Sequence, residues 1–396
     1  MIRDAIVVGA GIGGLAAALA LSRKGIRVRV LEQAPRFGEV GAGIQVSPNA
    51  SRVLLALGLG DALRERAFHP EGVEMRTWRR GHRVAEAPLG REAADRFGAP
   101  YLHLHRADLH AVLAEAASAA PGVDVHLGTP CAEVLQSRDV VTANAVDGNS
   151  FTAEVLIGAD GIRSAVRATL FGEESARFTG CVAWRGLVPA GSVETDDVRP
   201  VAANWLGPGA HFVHYYVRGG ALVNFVAVVE KDGWEVESWT ERGEKSELEA
   251  DFAGWHPTVQ SLIAAADPES CFKWALFDRD PMPLWSDGRI TLLGDACHPT
   301  LPFMAQGACM AIEDAAVLGE CLASDDAAPV ALARYEKLRR DRTARIQRGS
   351  RRNKDLYHLG GPRAWLRNLT APVLSRRMAR SSEQLFGYDA FAAAQA

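Results

Sequence analysis

Three glycines near the start of the chain have the spacing of a phosphate-binding turn. Gly9, Gly11 and Gly14 follow the pattern G-x-G-x-x-G, between an apolar run that predicts a buried strand and an alanine-rich run that predicts a helix. Gly9 would permit the tight turn, Gly11 would let a pyrophosphate approach the backbone, and Gly14 would let the helix pack closely. The helix N-terminus would offer unpaired N–H groups and a positive dipole to the phosphates.

An acidic residue ends the next predicted strand, where a carboxylate can accept hydrogen bonds from an adenosine ribose. This residue, Glu32, suits FAD or NAD better than a cofactor with a 2′-phosphate. Strand, glycines, helix, second strand and acid occur in the required order, so the sequence predicts a dinucleotide site. A glycine-rich turn in another kind of α/β protein is the alternative, and the motif alone does not choose between FAD and NAD.

Two aspartates each follow a short apolar strand. Asp160 lies in Gly-Ala-Asp-Gly-Ile-Arg-Ser and Asp295 in Gly-Asp-Ala-Cys-His-Pro. An aspartate at the carboxyl end of a parallel strand lies where ligands bind in α/β sheets, although capping of the next helix is a common alternative. Arg106 opens another predicted helix, where it would contact a phosphate or ribose, or remain a surface arginine near the cap.

His211 and Tyr215 lie four positions apart and share one face of a predicted strand, because side chains alternate between faces. Both can therefore point into one pocket. His214 falls on the opposite face, which argues against a pair of metal-binding histidines. The alternative interpretation is a half-buried strand that merely carries aromatic residues. Gly219-Gly220 after this strand predicts a hairpin.

Composition limits the protein classes that these residues can serve. The chain has 396 residues and a net charge of −4, which argues against a nucleic-acid partner. Its six cysteines form no C-x-x-C pair, which favours a reducing cytoplasm. No segment offers about 18 uncharged apolar residues, so we expect no membrane span. Arginines between Arg339 and Arg352 indicate a solvated helix or a subunit contact; a homodimer is compatible with the sequence but no pattern establishes it.

The predicted elements give an α/β fold with a Rossmann-like dinucleotide-binding domain, in which helices flank a mixed central sheet. An antiparallel β-sheet substrate domain is interwoven with it, and a helical arm ends the chain. We expect the dinucleotide-binding domain to comprise 1–172 and 287–350. The substrate domain would comprise 173–286 together with part of 70–105, and the helical segment 351–396.

The glycine triplet and the two Asp motifs, in this order, resemble the three signatures of the single-component FAD-dependent aromatic hydroxylases. The resemblance covers nearly the whole chain and implies FAD as cofactor, NADH or NADPH as a transient reductant and O₂ as co-substrate. In that family the reaction proceeds through a flavin C4a-hydroperoxide. The cofactor-binding residues that the resemblance and the motif together imply are Gly9, Gly11, Gly14, Glu32, Gln33, Arg106, Cys131, Asp160, Asp295, Gly307 and Ala308.

Within the family, the chain is similar to 3-hydroxybenzoate 6-hydroxylases, salicylate hydroxylases and 6-hydroxynicotinate 3-monooxygenases. The resemblance implies a small phenolic acid as substrate, with His211 as the base for its hydroxyl and Tyr215 as a hydrogen-bond donor or relay. The implied pocket residues are Gln45, His211, Tyr215, Pro299, Pro302 and Phe303.

Three pocket positions depart from the family patterns. Gln45 and Phe303 stand where the hydroxynicotinate enzymes have histidines, and Pro302 stands where a 3-hydroxybenzoate 6-hydroxylase has glutamine. These departures count against a pyridine substrate and leave the position of hydroxylation open. The alternative substrates are a hydroxypyridine such as 6-hydroxynicotinate and a larger aromatic natural product. An NAD-dependent dehydrogenase and a non-catalytic FAD-binding module are the alternatives from other classes.

Overall fold

The computed structural model describes residues 2–38, 42–193, 198–231 and 242–395. The strands in these ranges are β1 (Asp4–Val8), β2 (Arg27–Leu31), β3 (Gly43–Val46), β4 (Gly72–Thr77), β5 (Arg83–Pro88), β6 (Leu102–His105), β7 (Val123–His126), β8 (Cys131–Gln136), β9 (Val141–Ala145), β10 (Ser150–Ala153), β11 (Val155–Gly158), β12 (Arg177–Pro189), β13 (Val201–Gly207), β14 (Ala210–Val217), β15 (Leu222–Glu230), β16 (Phe272–Asp278), β17 (Ser286–Asp287) and β18 (Ile290–Leu292).

Helices connect and follow these strands. They are α1 (Ile12–Arg23), α2 (Pro48–Ala56), α3 (Gly60–Arg66), α4 (Gly90–Phe97), α5 (Arg106–Ala119), α6 (Ala165–Phe171), α7 (Lys245–Asp251), α8 (Pro257–Ala265), α9 (Gly307–Leu322), α10 (Ala328–Tyr357), α11 (Gly361–Leu369), α12 (Ala371–Phe386) and α13 (Ala390–Gln395). Within the described ranges, no helix is long and apolar enough to cross a membrane.

A six-stranded sheet in the order β17-β18-β11-β1-β2-β7 carries the glycine turn. Its strands pair in parallel except for the antiparallel edge strand β17, so the sheet is mixed. Short apolar strands such as β1 are buried on both faces, which is typical of parallel sheets covered by helices. Small residues let α1 and α9 pack closely, since a Cβ on Gly319 would lie 3.2 Å from the Cβ of Ala20.

A second sheet of seven strands has the order β16-β12-β15-β14-β13-β4-β5. Its pairings are antiparallel except between β13 and β4, which run parallel. The hairpin between β14 and β15 forms where Gly219 and Gly220 were expected to turn the chain, and both adopt positive φ. The α/β class with two interwoven sheets and a helical C-terminal arm is confirmed, whereas the exact domain boundaries stay a prediction.

The arginines of α10 do not all lie in solvent as the sequence indicated. Arg339 is fully buried and Arg342 is 7% exposed. Arg339 pairs with Glu313 and Asp314, and Arg342 with Glu313, at N–O distances of 2.6–2.7 Å. The expectation of a solvated helix was wrong for these two residues, because α9 presents two buried carboxylates to them.

Candidate active site

The seven-stranded sheet, the glycine-turn sheet and the N-terminus of α9 border one cavity. The cavity and the solvent space at its open mouth together hold about 1440 Å³ of empty volume. His211, Val213 and Tyr215 line it from β14, while Phe212 packs in the core on the other face of the sheet. The two-residue alternation predicted for this strand is confirmed, and His214 lies away from the cavity residues.

The glycine turn has a geometry that suits a phosphate group. Gly9 adopts φ +102°, and a Cβ there would lie 2.5 Å from the carbonyl oxygen of Ala159. A Cβ on Gly14 would lie 2.0 Å from the carbonyl oxygen of Gly9. A Cβ on Gly11, in contrast, would meet no protein atom within 4 Å, so this residue borders open space. The three glycines therefore fit the tasks of turning, packing and leaving room for a pyrophosphate.

Glu32 fastens the same turn. Its Oε2 accepts a hydrogen bond from the N–H of Ala10 at 2.7 Å, and its Oε1 accepts one from Ala34 at 2.8 Å. A carboxylate offers about four lone-pair sites, so both oxygens can still accept from a ribose. Gln33 beside it is exposed. The Sγ of Cys131 donates to the carbonyl of Glu133, and burial, then the charge of Asp160, raises its pKa to about 11.

Asp160 faces α6 rather than the cavity. It accepts hydrogen bonds from the Oγ of Ser164 at 2.5 Å and from the N–H of Val166 at 3.2 Å. Burial raises the pKa of its carboxyl, while these donors act in the opposite direction. The capping interpretation therefore describes its side chain, and Ile162, two residues later, lines the cavity instead.

Arg106 and Asp295 both line the cavity, from different elements. Arg106 is the first residue of α5, and Asp295 lies in a short 3₁₀ turn after β18. Burial raises the pKa of the Asp295 carboxyl, whereas His298 and Arg106 lower it. The structure thus brings together an acid and a cation that the sequence separates by 189 positions.

Gly307 and Ala308 begin α9 and line the cavity. The preceding Ala305 adopts a left-handed conformation with φ +51°, which is uncommon for alanine. Gln306 is buried, donates to the Oγ of Ser47 at 2.9 Å and accepts from Asn49 at 3.1 Å. These contacts fix the turn so that the helix N-terminus, with its unpaired N–H groups, faces the cavity.

A buried ionic network holds the segment between β18 and α9 in place. Asp314 accepts from Nε2 of His298 at 2.6 Å, from Nε of Arg339 at 2.7 Å and from the N–H of Gly294 at 3.2 Å. Burial alone would raise the pKa of Asp314, but His298 and Arg339 outweigh it and hold the pKa below its usual value. The network thereby anchors the turn that carries Asp295.

Two residues of β14 supply polar groups to the cavity wall. His211 is 2% exposed and Tyr215 is 4% exposed. Burial, reinforced by His358, lowers the pKa of His211 well below the usual histidine value. Burial raises the pKa of Tyr215, although Arg185 and a hydrogen bond with Gln45 oppose the shift. At neutral pH His211 is therefore a neutral acceptor or donor and Tyr215 a protonated donor.

The match to known proteins agrees with this arrangement. A family model described as FAD binding domain matches residues 3–350. A 3-amino-4-hydroxybenzoate 2-monooxygenase from Streptomyces platensis is 44% identical over 93% of this chain and 92% of its own. A 3-hydroxybenzoate 6-hydroxylase from Klebsiella oxytoca is 43% identical over 92% and 91%. The chain belongs to the FAD-dependent aromatic hydroxylases.

Solved structures share the fold of this hydroxylase over nearly its full length. Klebsiella pneumoniae HpxO, in complex with FAD and uric acid, superposes with a TM-score of 0.86 at 30% identity and covers 97% of this chain and 96% of its own. A salicylate hydroxylase substrate complex superposes with a TM-score of 0.84 at 28% identity, with coverage of 100% and 97%. The family uses FAD, NAD(P)H and O₂, which excludes a nicotinamide dehydrogenase.

The predicted pocket residues of the hydroxylase do not all reach the cavity. Gln45, Pro299 and Pro302 line it. Phe303 is outside the set of lining residues and lies behind His211, with a distance of 5.1 Å between the ring centroids. Phe303 packs in the core beside β14, in the 3₁₀ turn Pro302–Met304, and its assignment to the substrate pocket stays a prediction.

The sequence analysis did not identify two side chains that lie near His211, the candidate base. Arg185 lines the cavity from β12, and its guanidinium lies 4.4 Å from the ring centroid of Trp274. An arginine in the middle of an apolar strand was a signal for it. His358 contacts His211 from the end of α10, and no local pattern in the sequence indicates that contact.

Proposed function

We propose that this hydroxylase transfers one oxygen atom from O₂ to the ring of a small phenolic acid. The reaction consumes the acid, O₂, NAD(P)H and a proton, and yields the hydroxylated acid, NAD(P)⁺ and water. The observation that carries the proposal is the presence of His211 and Arg185 on the same face of one sheet, both lining the cavity. They supply a proton acceptor and a cation for the two polar ends of such a substrate.

The strand register sets the separation between these two groups. His211 pairs with Val228 of β15, which pairs with Ala183 of β12, two positions from Arg185. With ~4.8 Å between strands and ~3.4 Å per residue, their Cα atoms lie about 12 Å apart. One substituted ring can bridge this distance, with its carboxylate at Arg185 and its hydroxyl at His211. Tyr215 would donate a hydrogen bond to the same substrate.

Removal of the phenolic proton makes the ring a stronger nucleophile, which aromatic hydroxylation requires. A neutral His211 can accept that proton, and Arg185 orients the ring without taking part in proton transfer. Bound FAD supplies the redox chemistry, because its reduction by NAD(P)H allows it to activate O₂. The pocket walls at Gln45, Pro299 and Pro302 would exclude water from the reacting ring.

The turn and the helix termini supply the groups that would hold FAD. Gly9, Gly11 and Gly14 with the N-terminus of α1 would hold the pyrophosphate, and Glu32 the adenosine ribose. The open space beside Gly11 supports this assignment. Gln33 and Cys131 are assigned to the adenosine end only through the family resemblance.

The ring end of FAD would lie in the cavity. Arg106 and Asp295 would contact the ribityl and pyrophosphate region, and the N–H groups of Gly307 and Ala308 the flavin ring. Their place on the cavity lining supports these roles. Asp160 would act mainly through the turn it caps, because its carboxylate faces α6.

A hydroxypyridine is the second candidate substrate. A 6-hydroxynicotinate 3-monooxygenase from Pseudomonas fluorescens is 40% identical over 97% of this chain and 94% of its own. A hydroxypyridine acid offers the same carboxylate and hydroxyl to Arg185 and His211. The presence of Gln45 in place of a histidine favours the benzoate class, because Gln45 lines the cavity.

The test is a substrate panel on the FAD-loaded enzyme. We expect 3-hydroxybenzoate, salicylate or an amino-hydroxybenzoate to raise NADH oxidation, and mass spectrometry to find one ¹⁸O atom from ¹⁸O₂ in the product. His211→Ala should lower product formation while FAD content is unchanged. NADH oxidation and ¹⁸O incorporation only with 6-hydroxynicotinate would select the second candidate, and none with any acid would refute the proposal.

We also propose a cytoplasmic location and a homodimer. All six cysteines are free thiols, which supports a reducing compartment. Exposed apolar side chains on α11 and the start of α12 support self-association, among them Trp365, Leu366 and Leu369. Light scattering of the purified chain would give about twice the monomer mass if the dimer forms.

A further inference from the structure

Three side chains form a line of hydrogen bonds from the cavity wall to solvent. Nδ1 of His211 lies 2.8 Å from Nε2 of His358, and Nδ1 of His358 lies 2.8 Å from Oε1 of Glu230. His211 and His358 are buried, whereas the Glu230 side chain is 46% exposed. Because Nδ1 of His211 points to His358, Nε2 is the ring nitrogen left for a ligand in the cavity.

The backbone holds these three residues in place. His358 is the C-cap of α10, and its carbonyl oxygen accepts a hydrogen bond from the N–H of Gly209 at 3.0 Å. The N–H of Glu230 donates to the carbonyl of the same Gly209 at 2.8 Å. The end of α10 is therefore tied to the turn between β13 and β14, and through it to the end of β15.

His211 needs a partner if it is to remove a proton. It is buried, and no carboxylate contacts it among the described hydrogen bonds, so a lasting imidazolium at this position would be costly. His358 is better placed to carry positive charge, because Glu230 accepts its hydrogen bond and the C-terminus of α10 is the negative end of the helix dipole.

We propose that Glu230 and His358 conduct the phenolic proton from His211 to solvent, which rests on the proposed function. The phenolic O–H bond breaks and the proton binds Nε2 of His211. The proton on Nδ1 of His211 then moves to Nε2 of His358, and the proton on Nδ1 of His358 moves to Glu230 and on to water. Reprotonation of the product runs the chain backwards and restores both tautomers, so no net charge stays in the wall.

Other titratable groups surround His358 and contribute to its pH dependence. Lys354 and Asp355 lie on α10, Glu230 on β15 and His211 on β14, and Cys181 of β12 has its Sγ within 4.8 Å of the nearest ligand atoms of Glu230 and His358. Burial lowers the pKa of His358, while Glu230 and Asp355 raise it and Lys354 lowers it. A pH profile must therefore be compared with a variant that changes charge without breaking the chain.

The experiment follows the phenolate absorbance of 3-hydroxybenzoate on mixing with the oxidised, FAD-loaded enzyme. We expect Glu230→Gln and His358→Asn to slow phenolate formation at least tenfold across the pH range, because each substitution removes one proton carrier from the chain. Added imidazole should restore part of the rate in His358→Gly. The control Asp355→Asn removes a nearby exposed charge from the same helix and should leave the rate within twofold of wild type.

Phenolate formation at the wild-type rate in both variants would overturn the relay while leaving the proposed function intact. Absence of binding and turnover by the wild type with every acid would instead refute the proposed function. The relay then still faces a test without substrate, since ¹⁵N NMR of labelled histidines reports which ring nitrogens carry protons. The relay requires protons on Nδ1 of both His211 and His358, and a proton on Nε2 of His211 in the free enzyme would overturn it.

Discussion

Gly11→Ala separates the cost to the fold from the cost to the cofactor. Gly11 has φ −71°, which alanine adopts without strain, and its Cβ would meet no protein atom within 4 Å. Alanine reduces the entropy of the unfolded chain, which stabilises by about 0.4–1 kcal/mol, but it is a poorer N-cap than glycine by a similar amount. We therefore expect the free energy of unfolding of the FAD-free protein to change by less than about 0.5 kcal/mol.

The added methyl group occupies the space in which the pyrophosphate would approach the backbone. Overpacking by one methyl group costs about 1–3 kcal/mol. That range corresponds to a rise of about 5- to 160-fold in the dissociation constant of FAD. Fluorescence titration of FAD into the FAD-free protein measures this constant, and urea unfolding measures the stability of the same sample.

Gly191→Ala is the matched control, because a Cβ on Gly191 would also meet no protein atom within 4 Å. Gly191 lies in the turn after β12 and does not line the cavity. Its FAD affinity should equal that of the wild type. Gly14→Ala should fail to fold, because its Cβ would lie 2.0 Å from the carbonyl oxygen of Gly9. Wild-type FAD affinity in Gly11→Ala would refute the placement of the pyrophosphate. Failure of Gly11→Ala to fold would show that the space beside Gly11 is not open.

Three other measurements test the remaining parts of the site. Arg185→Gln removes the charged partner of the substrate carboxylate, so the dissociation constant of 3-hydroxybenzoate should rise about 12- to 160-fold, for a loss of about 1.5–3 kcal/mol, with FAD content unchanged. Asp314→Asn breaks the buried ionic network and should cost about 3–5 kcal/mol in urea unfolding; an unchanged midpoint would contradict this. Burial lowers the pKa of His103 and His214 to about 3, so both are neutral when folded, and the FAD-free protein should lose stability as pH falls below about 6.5, by up to about 1.4 kcal/mol per pH unit for each histidine. Equal urea midpoints at pH 7 and pH 5.5 would argue against that.

Local patterns predicted the parts of the site that depend on neighbours in sequence. The glycine turn and the shared face of His211 and Tyr215 follow from spacing within a few residues. Helix α9 begins at Gly307, after a 3₁₀ turn and the left-handed Ala305. The conformation of Ala305 could not be predicted from the sequence, because alanine rarely adopts a positive φ.

Contacts between distant segments could not be predicted from the sequence. His358 is 147 positions from His211, and only the path of α10 across the molecule brings them together. Arg339 and Arg342 lie in a helix rich in charged residues. Its hydrophobic periodicity gave no indication that Glu313 of α9 is buried against them. The burial of a charged residue can be predicted only when its oppositely charged partner is known. Here the partners lie on another helix.

One helix connects the network beneath the flavin site with the end of the proton relay. Arg339 and His358 are 19 positions apart, which is about 28 Å along α10 at 1.5 Å per residue. A displacement of this helix along its axis would move both contacts together. Libraries that vary the C-terminal residues to alter substrate range should therefore also be screened for flavin retention, since selection at one end of α10 acts on the other.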